Sequence, residues 1–123
     1  WTGGVLVVAV IVHVVGLWLT SPPDVLDALL FRSPTPFSAW GVVAMWTIFA
    51  VGILAALRRR LGIRPTTWRI THSISAAVIV VGTIVHALLI EGAMETVSKG
   101  ALCALVGVAT LKVMADLLRR ARR

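Results

Sequence analysis

Four long apolar runs dominate this chain of 123 residues and limit what it can fold into. They cover residues 2–20, 37–57, 68–90 and about 97–118, with charged or proline-rich segments between them. Each run is long enough for an α-helix to cross a hydrocarbon core of ~30 Å. Because lipid offers the backbone no hydrogen-bond partners, helices are the expected structure. The sequence therefore predicts an all-α, polytopic membrane helix bundle with four transmembrane helices.

Composition supports a membrane protein with a single transmembrane domain over residues 1–123. Hydrophobic residues make up 59% of the chain and charged residues only 14%, far from the usual balance of soluble domains. The chain begins at Trp1 rather than Met, so we expect the domain to be N-terminally incomplete. The single cysteine, Cys103, excludes an intramolecular disulfide and any cysteine-based zinc or iron–sulfur site.

The basic residues predict the orientation of the bundle. Nine of the twelve lie in two clusters, Arg58, Arg59, Arg60, Arg64 and Arg69 between the second and third runs, and Arg119, Arg120, Arg122 and Arg123 at the end. The positive-inside rule makes that side cytoplasmic, so both chain ends are expected there, in a bacterial inner membrane. The net charge of +7 is then explained by topology and contact with membrane lipid, without nucleic acid.

Tryptophans and prolines fit this layout. Trp1 and Trp68 fall at the inner boundary and Trp18 and Trp40 at the outer one, as in an aromatic belt, while Trp46 is deeper and is predicted to pack between helices. In the outer segment 21–36, Ser-Pro-Pro-Asp predicts an N-cap with proline in the first turn, followed by a short helix on the membrane surface.

Two histidines of the third run indicate a more specific chemistry. His72 and His86 are fourteen residues apart, which is 40° short of four helical turns and ~21 Å along the axis. The two side chains therefore project from one face of a helix. This separation excludes one metal ion bound by both, and it fits two stacked sites, one near each membrane boundary.

The third histidine, His13, is predicted to pair with His86. His13 lies ~12 Å from the outer boundary and His86 ~8 Å from it, on different helices. Two neutral imidazoles from opposite sides are the axial ligands of low-spin haem b in helix bundles. By the same spacing, a partner for His72 falls before Trp1, so the chain predicts one haem or two. A histidine in a membrane can instead form an interhelical hydrogen bond.

Other residues offer weaker support for haem. Gly16 and Gly82 lie near the histidine faces and can admit a flat macrocycle, although small residues also serve ordinary helix packing. Arg32 and Lys99 are candidates to neutralise outer propionates, and Arg69 inner ones. The methionines are interpreted as packing or loop residues: Met45, Met94 and Met114.

The stretches "TTWRITHSISAAVIVVGTIVHALLIEG" and "VIVHVVGLWL" resemble the ferric reductase-like transmembrane domain. This family includes ferric reductases, NADPH oxidases and the haem-binding membrane partner of periplasmic methionine-sulfoxide reductases. The resemblance rests on Trp68, Arg69, His72 and His86, with His13 matching the outer histidine of the family's third helix. It implies that the chain covers helices three to six of a six-helix core. The first two helices and the inner histidine of the third are absent.

The leading functional hypothesis is transmembrane electron transfer through haem b. A cytoplasmic flavoprotein reductase or a membrane quinol would be the donor, and ferric iron, oxygen or a periplasmic oxidoreductase the acceptor. After Arg123 there is no glycine-rich dinucleotide fingerprint, so flavin or nicotinamide chemistry is expected to belong to a partner, and whether the chain itself is an enzyme stays open.

Three alternatives stay open. The first is a dihaem cytochrome b that oxidises quinol, which ranks lower because the second and fourth runs lack histidine. The second is a transporter or assembly subunit that passes a metal ion or proton along histidines. The third is a structural subunit without a cofactor.

Overall fold

A computed structural model of the chain describes residues 2–92 and 95–121, with only the backbone at 118, 120 and 121. Within those ranges the secondary structure is entirely helical, which confirms the predicted all-α class. The five helices are α1 (Thr2–Thr20), α2 (Pro22–Leu29), α3 (Pro36–Leu57), α4 (Pro65–Leu89) and α5 (Thr96–Ala121). The predictions made for Trp1, Met94, Arg122 and Arg123 lie outside the described residues.

Four of these helices, α1, α3, α4 and α5, are long and apolar enough to cross a membrane. The chain is therefore an integral membrane protein. The helix α4 begins at Pro65, three residues before the predicted start of the span, and α3 begins at Pro36. Both prolines stand in the first turn, where a missing N–H costs no hydrogen bond and the fixed φ suits a helix.

The helices α3, α4 and α5 form two successive antiparallel hairpins. Short segments connect them, and α4 packs against both neighbours. The helix α1 packs on α3, and α2 contacts α1 and α3. This topology places segment 58–64 and the C-terminal end of α5 at one end of the bundle, called the basic end below. The opposite end, which carries α2, is called the α2 end.

Gly82 sets the close approach of α3 and α4. A Cβ on Gly82 would lie 3.1 Å from the Cβ of Ala44 and 3.1 Å from the carbonyl oxygen of Trp40. Gly82 is buried, so of its two predicted roles helix packing is the one seen. A Cβ on Gly16 would meet no other atom within 4 Å, so the backbone there faces open space.

The core of the bundle is centred on α3. The buried apolar side chains are Val25 of α2 and, on α3, Val42, Ala44, Met45 and Ile48. Trp46 is 56% exposed and contacts Phe49 edge-on, so the prediction that it packs between helices is wrong. One residue turns a helix by 100°, which carries position 46 away from the buried pair 44–45. Trp18 and Trp40 are also exposed, as lipid-facing belt residues would be.

The short helix predicted after Ser21 is present as α2. Pro22 occupies its first turn, but the Ser21 hydroxyl donates to the Asp24 carboxylate at 2.6 Å and caps no backbone N–H. The predicted side-chain cap is therefore absent. Because Val25 is only 7% exposed, one face of α2 packs onto the bundle and covers its end.

Candidate ligand site between the first and fourth helices

A cavity of about 650 Å³ opens between α1 and α4 at the α2 end. Within the described ranges, α1 contacts α2 and α3 and makes no close backbone contact with α4, so a space remains between these two helices. The helix α3 forms one wall, with Met45 and Ile48, and α2 covers the end with Val25. Most of the lining is apolar.

His13 and His86 both line this cavity. His13 comes from α1 and is exposed, whereas His86 comes from α4 and is half-buried. Thr83 and Ala87 of α4 line the cavity as well, and so does Ile90 directly after the helix, as a helix repeat of three to four residues requires. The structure therefore brings two of the three sequence-predicted histidines to one space, from two helices whose backbones make no close contact.

The imidazole of His86 is held by the backbone of α3. Its Nδ1 lies 2.8 Å from the carbonyl oxygen of Phe37. A carbonyl oxygen only accepts, so Nδ1 must carry the proton, and in the neutral ring Nε2 then keeps its lone pair. The Phe37 ring stands edge-on to the imidazole, with centroids 5.7 Å apart and planes at 70°. This arrangement leaves Nε2 as the nitrogen available to a ligand.

Gly41 makes that position of the ring possible. A Cβ at Gly41 would lie 2.6 Å from Nδ1 and 2.7 Å from Cε1 of His86, closer than real Cβ atoms approach other atoms. Sequence reasoning missed Gly41. The available signal was a glycine one turn after Phe37 in a membrane-spanning helix, where small residues let neighbouring side chains approach closely.

Hydroxyl groups line the α2 end of the cavity. Ser33, Thr35 and Ser38 all face it. Their side chains form one hydrogen-bonded cluster, in which the Ser33 hydroxyl lies 2.7 Å from that of Thr35 and 3.1 Å from that of Ser38, and Thr35 also bonds Ser38. The cavity is therefore amphiphilic, with an apolar body and a polar end. These three residues were not predicted from the sequence.

Arg32 and Lys99, the two residues predicted to neutralise outer propionates, do not line the cavity. Arg32 is exposed and does not line the cavity. Lys99 donates from Nζ to the carbonyl oxygens of Ile90 at 2.6 Å and Leu88 at 3.3 Å. The last carbonyls of a helix have no intrahelical donors, so Lys99 stabilises the C-terminus of α4 and fixes α5 beside it.

Met45 is 8% exposed and was interpreted as a packing residue. It belongs to the core and also lines the cavity.

His72 lies in different surroundings at the basic end. It is exposed and does not line the cavity. Its ring stacks on Trp68 with centroids 5.3 Å apart and an interplanar angle of 24°, and the Arg58 guanidinium lies 5.4 Å from the centre of the Trp68 ring. Arg69, the candidate predicted from the sequence to neutralise inner haem propionates, is exposed. Here Arg58 rather than Arg69 is the arginine that takes part in the aromatic stack.

Metal binding by several protein side chains is not apparent in this site. In the part of the chain that the structure describes, no group of three or more His, Cys, Asp or Glu residues could hold a metal ion. The site instead presents two imidazoles on one largely apolar cavity, a pattern suited to a ligand that occupies that cavity.

Fold and site together define an integral membrane helix bundle with a histidine-lined amphiphilic cavity. No protein-family model, no curated protein and no solved structure matches this chain.

Proposed function

We propose that the chain transfers electrons across a membrane through haem b bound between His13 and His86. The observation that carries this proposal is the placement of both imidazoles on one apolar cavity, with Nε2 of His86 left as the acceptor nitrogen. When bound, haem b supplies reversible one-electron chemistry, and the protein holds it and tunes it. The resemblance to the ferric reductase-like domain supports the same function.

The cavity fits such a group in size and character. A volume of about 650 Å³ falls within the ~300–1,000 Å³ of ligand pockets that bury most of a small molecule. His13 and His86 would hold the iron, while Val42, Met45 and Ile48 offer the apolar wall. The hydroxyls of Ser33, Thr35 and Ser38 bond one another. Because each has one proton, they would donate to carboxylates at the polar end only by giving up bonds within that cluster.

The basic end supports a second haem less strongly. His72 would help to hold that second haem, and Trp68 holds its ring by stacking. Its partner, as the resemblance implies, would come from a residue before Trp1. We therefore propose one haem in the cavity described, with His72 as half of a second pair and Arg69 as a candidate for its propionates.

Electron flow would run from the basic end to the α2 end. With the arginine-rich segment in the cytoplasm, a flavoprotein reductase or a membrane quinol would deliver electrons, bringing any flavin or quinone with it. A periplasmic oxidoreductase, ferric iron or oxygen would accept them at the α2 end. The chain would thus be the membrane component of an oxidoreductase.

Haem content of the purified protein tests the proposal. The wild type in detergent should bind haem b and give the absorption spectrum of a low-spin, six-coordinate iron. His13→Ala and His86→Ala should each convert that spectrum to a high-spin one or lose the haem of the cavity. Val12→Ala is the matched control, because Val12 is the neighbour of His13, is 65% exposed and does not line the cavity.

A colourless wild-type protein that takes up no added haem would refute the proposal. So would a haem spectrum unchanged in both histidine variants, since the iron would then have other ligands. A folded His86→Ala variant, judged by helix content in circular dichroism, is needed before its loss of haem is interpreted.

A further inference from the structure

We propose that the Phe37 carbonyl and Gly41 are positioning groups that select the tautomer of His86 and present Nε2 to the cavity. The consequence for a bound iron rests on the proposed function, but the tautomer itself does not. Phe37 contributes through its backbone and Gly41 through the side chain it lacks. Both residues line the cavity, and the role proposed for them is to orient the His86 ring rather than to hold the iron.

The first step of the argument is the direction of the hydrogen bond. An unconstrained neutral histidine side chain prefers its proton on Nε2, which would block that nitrogen as a ligand. The Phe37 carbonyl, 2.8 Å from Nδ1, favours the other tautomer because it can only accept. Histidines that bind metals commonly donate their second N–H to a backbone carbonyl, which fixes the ring and raises the basicity of the ligating nitrogen.

The second step is the space at Gly41. A methyl group there would meet Nδ1 at 2.6 Å, so the imidazole of a Gly41→Ala variant would have to turn away from Phe37. The spacing of the two helices is set nearby, where Gly82 packs on Ala44. Because that packing is left intact, the ring and not the helix pair is the part expected to move.

The same contact makes the two cavity histidines unequal. His86 is half-buried, with its orientation set by α3, whereas His13 is exposed on α1, a helix that carries no buried residue. The orientation of the His86 ring is therefore already set before any group binds in the cavity. Gly41→Ala should change the orientation of the His86 ring while the histidine itself stays in place.

The direct test is the side-chain ¹⁵N spectrum of histidine-labelled, haem-free protein in micelles, at a pH at which the imidazoles are neutral. His86→Gln identifies the His86 signals. The wild type should show His86 with a protonated Nδ1 and an unprotonated Nε2. Gly41→Ala should shift His86 toward the Nε2-protonated form. Gly52→Ala is the matched control on the same helix, since a Cβ there meets only a Val7 methyl at 3.4 Å.

Haem-loaded protein gives a second readout. Loss of the hydrogen bond to Phe37 makes His86 a poorer electron donor to the iron, so Gly41→Ala should raise the midpoint potential relative to Gly52→Ala. It should also lower haem affinity at least several-fold.

The outcomes separate the two proposals. A wild-type His86 protonated on Nε2, or a folded Gly41→Ala variant with the wild-type tautomer, would overturn the inference. The predicted tautomers in a protein that binds no haem would support the positioning role and refute the proposed function. If Gly41→Ala fails to fold, the wild-type spectrum alone still decides whether the Phe37 carbonyl selects the tautomer.

Discussion

The two ends of the bundle hold their histidines in different ways. At the α2 end, His86 is fixed by a backbone carbonyl and lines a cavity, and Lys99 caps the helix that carries it. At the basic end, His72 is exposed and is held by stacking on Trp68, with Arg58 on the same ring. Polar, directional contacts organise the first site, and aromatic contacts organise the second.

The site at the α2 end is the more complete of the two within the described chain. A hydrogen bond to a ring nitrogen fixes both the orientation and the tautomer of an imidazole, whereas a stack fixes only the plane of the ring. The α2 end therefore has a site whose two histidines, cavity walls and polar end all come from this chain. The basic end has one oriented histidine and, among the described residues, no second one.

The largest expected effect comes from removing each end's histidine in turn. His86→Ala should lose the haem of the cavity, whereas His72→Ala should leave that haem's spectrum and potential largely intact, because the two positions are ~21 Å apart along α4. If the full-length protein binds two haems, each variant should lose about half. Pyridine haemochrome assays and redox titration measure both quantities.

In the two-haem case, electron transfer into proteoliposomes should fail in both variants, since one remaining haem leaves a gap on one side of the membrane. Loss of all haem from a folded His72→Ala variant would show that the two ends of the bundle do not hold separate sites and would indicate one shared site.

Much of this architecture could be predicted from the sequence, because its causes are local. Long apolar runs, prolines and spacing set the four spans and the short helix α2. Counting residues along helices predicted a similar depth for His13 and His86, which line one cavity in the structure. Gly41, the Phe37 carbonyl and the hydroxyls of Ser33, Thr35 and Ser38 were missed. Their roles depend on which face of α3 meets α4 and how the 30–38 segment turns, and helix packing alone decides both.

The next effect concerns the cap on α4. Lys99→Met removes two charge-assisted hydrogen bonds to the carbonyls of Leu88 and Ile90. We expect a loss of about 1–2 kcal/mol in the free energy of unfolding, since the site is partly exposed and such bonds contribute ~1.5–3 kcal/mol at best. Unfolding of the detergent-solubilised protein by SDS measures it.

Arg32→Met is the control for that measurement, because it removes the same charge from an exposed side chain at the same end of the bundle. Equal stability of the two variants would show that the α2 end does not depend on this polar contact, and it would weaken the contrast drawn between the ends.

A smaller effect is expected at the basic end. Trp68→Leu removes the ring on which both His72 and Arg58 lie. A partly exposed cation–π contact contributes about 0.5–1 kcal/mol, so a double-mutant cycle with Arg58→Met should give a coupling of that order. The ring-proton shifts of His72 should move to values typical of an unstacked imidazole. Unchanged shifts in Trp68→Leu would mean that stacking does not hold His72. The exposed Trp18, replaced by Leu, is the control.

The smallest effect lies at the start of α5, where Glu95 precedes the helix. Its Oε2 accepts from the Ser98 hydroxyl at 2.9 Å and from the Ser98 N–H at 3.2 Å. The Ser98 hydroxyl is the largest of the causes that hold the pKa of Glu95 below its usual value, ahead of the backbone N–H groups of Ser98 and Val97. Because a lowered pKa belongs to the folded state, this contribution to stability is present above the unfolded pKa of about 4.3, and it is lost as the pH falls through the folded value.

In Ser98→Ala the pKa of Glu95 should rise but stay below normal, since the backbone N–H remains, whereas Ser98→Thr should keep it low. A ¹³C titration of the Glu95 carboxyl measures this directly. Identical pKa values in the alanine and threonine variants would show that the hydroxyl does not organise this end of the bundle.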